Sequence, residues 1–106
     1  MREMIVEDAV GPVLRMCDEV ESVIRAIQDD NPADLEIVDR GAYVRVQRRG
    51  FLRVTRGSLE RHLGSGFQMS RLESIMSAFA GRIRTSSDEI VWYLQSASIS
   101  SKENPR

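Results

Sequence analysis

Residues that do chemistry are scarce in this 106-residue chain. It has one cysteine, Cys17, and one histidine, His62, well separated along the sequence. An internal disulfide is therefore excluded, and a zinc or iron site has no cluster of nitrogen or sulfur ligands to start from. Lys102 is the only lysine. Gly64-Ser65-Gly66 accordingly lacks the lysine that a phosphate-cradling loop requires. Neither a Gly-x-Ser-x-Gly nucleophile turn nor a Gly-x-Gly-x-x-Gly dinucleotide fingerprint occurs. No apolar run approaches the roughly 18 residues that span a bilayer. The N-terminal MREMIVEDAVG carries Glu3, Glu7 and Asp8 in place of the basic-then-apolar order of a secretory signal. These absences point to a cytoplasmic protein with no credible active site of its own and no membrane partner; a monomer is expected for the free protein, with a Cys17-linked dimer open on oxidation.

What is present is an ordinary globular balance, 42% apolar and 29% charged residues, enough for one small domain. The net charge of −1 conceals a sharp division. Residues 1–39 set three arginines against eleven Asp and Glu, a net of −8. Residues 40–84 set ten arginines against Glu60 and Glu73, a net of +8, and the last stretch adds −1. Either the two halves neutralise each other in the fold, or one face is offered to an acidic partner.

The element order predicted from periodicity is strand, helix, three strands, two helices, two strands: a single small α+β domain, mostly antiparallel, with short helices. Residues 10–94 form this domain, between a flexible stretch at 1–9 and a disordered tail at 95–106. Val10 to Met16 read as a strand in which Pro12 demands an edge position or an irregular start. Asp18 and Glu21 have capping-box spacing ahead of an apolar stripe at Val20, Val23, Ile24 and Ile27. Asp29-Asp30-Asn31-Pro32 stops that helix. Leu35 to Asp39 form a second strand. The run VRVQRRGFLRVTRG, Val44 to Gly57, reads as a hairpin, with Val44, Val46, Leu52 and Val54 on the core and Arg45 and Arg53 on a basic outer face. Ser58 caps a short helix that Gly64 ends. Ser70 with Glu73 caps a third helix, whose stripe is Leu72, Ile75, Met76 and Phe79 and which Gly81 ends. Arg82–Arg84 and Glu89–Leu94 form a closing hairpin.

Arg49-Gly50-Phe51 opens like the signature strand of RNA-recognition motifs. That strand needs stacking aromatics at alternate positions, and here Arg53 and Arg56 stand where the later ones belong. Nucleic acid is therefore not the expected partner. His62 falls on the polar side of its helix, and Cys17 precedes a helix with no base near it in sequence; solvation and packing explain both. Arginine forks suit carboxylates at protein interfaces. The loop Phe67-Gln68-Met69 adds apolar bulk beside them, with one of its two large side chains expected to pack inward. The candidate protein-binding residues are Arg45, Arg53, Phe67, Gln68, Met69 and Arg71.

A family resemblance runs through the same residues. It begins at Val10-Gly11-Pro12 and Asp30-Asn31-Pro32 and continues through Asp39-Arg40-Gly41-Ala42-Tyr43-Val44-Arg45. The series Leu59-Glu60, Leu63-Gly64, Phe67, Met69 and Leu72-Glu73 follows. Ser77-Ala78-Phe79-Ala80-Gly81-Arg82-Ile83 and Asp88-Glu89-Ile90-Val91-Trp92-Tyr93 complete it. In serial order these resemble the effector (coupling, or regulatory) proteins of bacterial soluble diiron multicomponent monooxygenases, most nearly the toluene 4-monooxygenase type. The resemblance implies a cofactor-free, non-catalytic protein that binds a diiron hydroxylase, shifts its active-site helices and tunes oxygen activation, coupling and regiospecificity. It places the iron in the hydroxylase, with electrons arriving from a reductase through a Rieske ferredoxin. The arginine-rich run is more basic than the family pattern requires. A ferredoxin-like ligand-sensing domain is the alternative reading of the element order, with nucleic-acid binding behind it.

Overall fold

The structure, a computed structural model, describes residues 8–94. The stretches expected to be flexible, 1–9 and 95–106, lie outside the described residues except for Asp8 and Ala9, and Ala9 already opens the first strand. The elements are β1 (Ala9–Arg15), α1 (Val20–Asp30), β2 (Glu36–Asp39), β3 (Tyr43–Arg49), β4 (Phe51–Thr55), α2 (Arg56–Leu63), α3 (Met69–Ile75), β5 (Met76–Ala80), β6 (Arg82–Thr85) and β7 (Glu89–Tyr93). The strands form two antiparallel sheets, one ordered β2-β3-β1-β5 and the other β4-β7-β6. Because β1 and β2 are each antiparallel to β3, they run parallel to one another with α1 as their connection. The larger sheet thus contains a split β-α-β unit.

One core joins both sheets and all three helices. Val10 and Leu14 of β1, Val44 and Val46 of β3, Leu52 and Val54 of β4, and Ile90 and Trp92 of β7 point into it. In β3 and β4 the period-2 alternation of a strand turns the intervening residues outward, whereas in β7 Val91, between Ile90 and Trp92, is buried as well. Helix α1 adds Val20, Val23, Ala26 and Ile27, the face its 3.6-residue period predicts, with Ile24 at the margin.

Several local expectations change, among them the Ser70–Glu73 cap of α3, which does not form because Gln68 is the N-cap and makes no side-chain capping bond. The run Val44–Gly57 is not a hairpin: β3 pairs with β1 and β2, while β4 pairs with β7, and the chain passes from one sheet to the other at Gly50. Local turn spacing favours the hairpin, but β1 takes β3 as its neighbour and β7 takes β4, and all four strands bury side chains in the shared core. Residues 76–80 are a strand, not the end of a helix. Strand β5 supplies the second neighbour of β1, with Met76 opposite Leu14 and Phe79 opposite Pro12, so backbone groups of β1 find partners on both sides. The element order consequently gains a strand. Pro12 therefore lies in an internal strand, tolerated because β1 breaks register with β5 between Val13 and Leu14. The Asp18 capping box does not form: Glu19 occupies the N-cap in helical geometry without capping, and its carboxylate is bound elsewhere.

At α2 the cap is Thr55, whose side chain accepts from the Ser58 N–H at 3.2 Å. Ser58 is itself buried and donates its hydroxyl to Asp30. The closing hairpin of β6 and β7 forms as expected, with Ile83 opposite Trp92. Gly81 makes the passage from β5 to β6 at φ 89°, where a Cβ would lie 2.6 Å from Val10 Cγ1 and 2.8 Å from the Tyr93 carbonyl oxygen. Only glycine meets both demands.

Candidate functional site

The six candidate binding residues do not share one surface. Arg45 lies on β3 opposite Val13 and Val38, on the outer face of the four-stranded sheet, and is half-buried. Arg53 lies on β4, on the outer face of the other sheet, with its Nε donating to Glu89 Oε1 at 2.7 Å. Phe67 is buried in the core and gives a partner almost no surface in this conformation. Gln68 is exposed just ahead of α3, and Met69, its first residue, packs half-buried against the core. Arg71 reaches back to the start of α1, its Nε and Nη2 donating to the two carboxylate oxygens of Glu19 at 2.8 and 2.7 Å.

The charge division is partly resolved inside the molecule. Glu19 and Asp29, from the acidic half, meet Arg71 and Arg61 of the basic half. The bidentate fork of Arg71 holds the Glu19 carboxyl down at about 2. His62, expected in water, has its Nε2 2.7 Å from Asp29 Oδ2, and Arg61 donates to the same oxygen at 2.9 Å. His62 and then Arg61 lower the Asp29 carboxyl below its ordinary range. These pairs tie α1 to α2 and α3. They are exposed or half-exposed, so each contributes modestly to stability.

Deeper between α1 and β4 is a polar knot built from the Asp-Asn-Pro turn. Asp30 accepts from the Thr55 backbone N–H at 2.7 Å, the Thr55 hydroxyl at 3.0 Å and the Ser58 hydroxyl at 2.8 Å. Asn31, almost wholly buried, adds bonds to Ile27 and Arg53. Both residues are committed to structure. Cys17 is half-buried against the core.

Among the described residues, open depressions of about 650 and about 400 Å³ indent the surface. The first runs along β2 and the end of β3, from Asp34 to Ile37 and Gln47 to Arg49. The second lies between the start of α1 and the larger sheet, over Met16, Cys17, Val20, Ile24 and Val44. Among the described residues, no group of three or more His, Cys, Asp and Glu converges on one point. What the arrangement can do is present surfaces. Arg82, Arg84 and Tyr93, absent from the sequence-derived set, share an outer face with Arg53 and Phe51. Their common face exists only once β4, β7 and β6 are paired, and no local pattern announces it.

Comparison with known proteins draws the fold and the sequence together. The chain is 41% identical over 91 residues to the alkene monooxygenase system effector subunit of Xanthobacter autotrophicus, covering 85% of this chain and 90% of that protein. Among solved structures, a chain of a phenol hydroxylase–regulatory protein complex matches with a TM-score of 0.75 at 23% identity, over 82% of this chain and 99% of its own length. The regulatory protein B of soluble methane monooxygenase matches with a TM-score of 0.69 at 20% identity, over 100% of this chain and 79% of its own. At those identities the two structures establish the fold. The profile of the MmoB/DmpM family matches residues 8–93, and with it the chain belongs to the MmoB/DmpM family, the non-catalytic effector subunits of multicomponent monooxygenases.

Proposed function

We propose that this protein binds the diiron hydroxylase of its monooxygenase system and, by favouring one hydroxylase conformation over another, tunes oxygen activation, coupling and regiospecificity. The observation that carries this reading is the 41% identity to the alkene monooxygenase effector, sustained across nearly the whole of both chains. An effector without chemistry of its own can act only through differential affinity for the states of its partner. The finer assignment within the family is the branch that oxidises arenes or alkenes, the toluene 4-monooxygenase type in the sequence pattern and the alkene type in the relative. The system is completed by a reductase and a Rieske ferredoxin, and the effector is a cytoplasmic monomer when free. Of the candidate contact residues, Arg53 and Gln68 are exposed in the free protein, Arg45 and Met69 are half-buried, Arg71 is held by Glu19, and Phe67 would have to leave the core to be reached.

The test is product formation by the cognate hydroxylase, reductase and ferredoxin, titrated with this protein. The expected result is a saturable rise in rate and in product per NADH consumed. A flat titration with folded protein overturns the reading.

A further inference from the structure

The two sheets turn different outer faces to solvent, and that of the three-stranded sheet has a composition of its own. Register places Phe51, Tyr93 and Arg82 in one row across β4, β7 and β6, and Arg53, Val91 and Arg84 in the next. Their strand neighbours Leu52 and Trp92 are wholly buried, so both rows point away from the core, and Val91, in the middle of the second row, is itself covered at 3% exposure, which leaves Phe51 and the arginines as the accessible part of the face. Phe51, Arg53, Arg82 and Arg84 are exposed, Phe51 by 42%. A face that combines two aromatic rings with three arginines has the residue types enriched at the centre of protein interfaces.

The geometry within the face limits what can occupy it. The Arg84 guanidinium carbon stands 5.6 Å from the centroid of the Tyr93 ring. Stacking of this kind holds the guanidinium in a defined plane while leaving its donors free for a carboxylate. It also covers one face of Tyr93, so only Phe51 offers an open ring for a base to stack on. Single-stranded nucleic acids need a series of such rings. Glu89, paired with Arg53 on the same side, opposes phosphate further. Among the described residues, no carboxylate pairs with Arg82 or Arg84. Their charge is available, and the complement is a protein surface bearing carboxylates around an apolar recess.

We infer that the outer face of the three-stranded sheet is the surface through which this effector docks on an acidic, apolar-centred patch of the hydroxylase, with Phe51 as the apolar anchor and Arg82 and Arg84 as the carboxylate-binding pair. This rests on the effector reading above and names the part of the molecule that performs it. It moves the interface away from Arg45, Gln68 and Arg71 and retains Arg53 at its margin. Charge complementarity makes the association salt-dependent and places much of the arginine contribution in the rate of encounter.

The test is direct binding of fluorescently labelled effector to purified cognate hydroxylase, alongside the turnover titration. Wild-type protein is compared with R82E/R84E, with F51A and with R25E. The last substitution makes the same change in charge per site on the exposed side of α1. The expected result is binding weakened at least tenfold by R82E/R84E and severalfold by F51A, unchanged by R25E, with the thermal transition of each variant confirming the fold. R82A/R84A, which removes charge without reversing it, is expected to lie between wild type and the reversal. Wild-type binding with R82E/R84E and F51A at wild-type affinity overturns the surface and leaves the effector function standing. Absence of wild-type binding and activation overturns both. Retention of a 20-nucleotide oligouridylate as tightly as the hydroxylase overturns the proposal in favour of a nucleic-acid platform.

Discussion

The side chain of Asn31 pairs with both backbone groups of Arg53. Its Nδ2 donates to the Arg53 carbonyl oxygen at 2.5 Å, and the Arg53 N–H donates to its Oδ1 at 3.2 Å. Strand β4 is an edge of its sheet, and at this point the carboxamide of Asn31 stands where a neighbouring strand would. The same Nδ2 also donates to the Ile27 carbonyl at the end of α1. The end of a helix and the edge of a sheet are thus fastened by one side chain, and the fastening also satisfies backbone groups that would otherwise be buried unpaired.

Asn31→Ala is expected to cost about 1–3 kcal/mol, since it leaves the Arg53 carbonyl and N–H without their partner in a part-buried position, while the Ile27 carbonyl keeps the backbone N–H of residue 31. Asn31→Asp keeps the shape but replaces the donor with a carboxylate, so the Ile27 and Arg53 carbonyls then face negative charge beside Asp30. It should be at least as damaging at neutral pH as the alanine substitution. Urea unfolding monitored by Trp92 fluorescence measures both. Wild-type midpoints would remove Asn31 from this role.

The loop between α2 and α3 contrasts an anchor with a surface residue. Phe67 is buried with Leu59, Leu72 and Ile75 in one cluster, whereas Gln68 beside it is exposed. Phe67→Ala should destabilise by about 3–5 kcal/mol through lost transfer free energy and the cavity left behind. Gln68→Ala should stay within about 0.5 kcal/mol. Equal midpoints for the two variants would place Phe67 outside the core.

Two glycines make opposite predictions on substitution. At Gly11, φ is 143° and a Cβ would come within 2.0 Å of the Val46 carbonyl oxygen and 2.9 Å of Leu52 Cδ2. Backbone strain and a collision with an adjacent strand combine, so Gly11→Ala should cost more than about 3 kcal/mol or abolish folding. Gly57 lies in the first turn of α2 with nothing within 4 Å of a new Cβ. Gly57→Ala should stabilise by about 0.5–1 kcal/mol, chiefly by restricting the unfolded chain. Thermal unfolding of the pair reads both signs.

Much of this architecture is legible in the sequence where local preference and tertiary context agree. The α1 stripe, the stop at Asn31-Pro32, and the β6–β7 hairpin across residues 86–88 each depend on neighbours in sequence, and each is found where periodicity places it. The alternation that turns Val44, Val46, Leu52 and Val54 inward is also read correctly, because it is independent of which strands pair. Pairing is not local. Arg48-Arg49-Gly50 suits a hairpin turn equally well as a corner between sheets, and the choice is made by β1 and β7, more than thirty residues away in each direction. Residues 76–80 have helical spacing at Met76 and Phe79, yet the open edge of β1 recruits them as a strand. For the same reason Arg45 and Arg53, neighbours on a supposed hairpin, end on different sheets. The candidate arginines could be counted from the sequence but not assigned to faces.

The Glu19–Arg71 pair gives a pH signature whose sign is fixed by the geometry. In the unfolded chain Glu19 titrates near its ordinary value of 4.5; in the folded protein the Arg71 fork holds it at about 2. Between those values the unfolded state binds more protons than the folded one, so stability rises with pH across that window. The contribution is complete above about 4.5 and is lost as pH falls toward 2. Glu19→Gln cannot titrate, so its stability profile should be flatter between pH 4.5 and 2 and should converge on the wild-type curve at the acid end. Some slope should survive in the variant, because Asp29 is also lowered, by His62 and Arg61. Arg71→Ala should flatten the same window with Glu19 intact, because the carboxyl then returns toward its ordinary range. Denaturant unfolding at half-unit steps from pH 2 to 7 separates the cases. Parallel profiles for wild type, E19Q and R71A would show that the fork seen here does not hold Glu19 in solution.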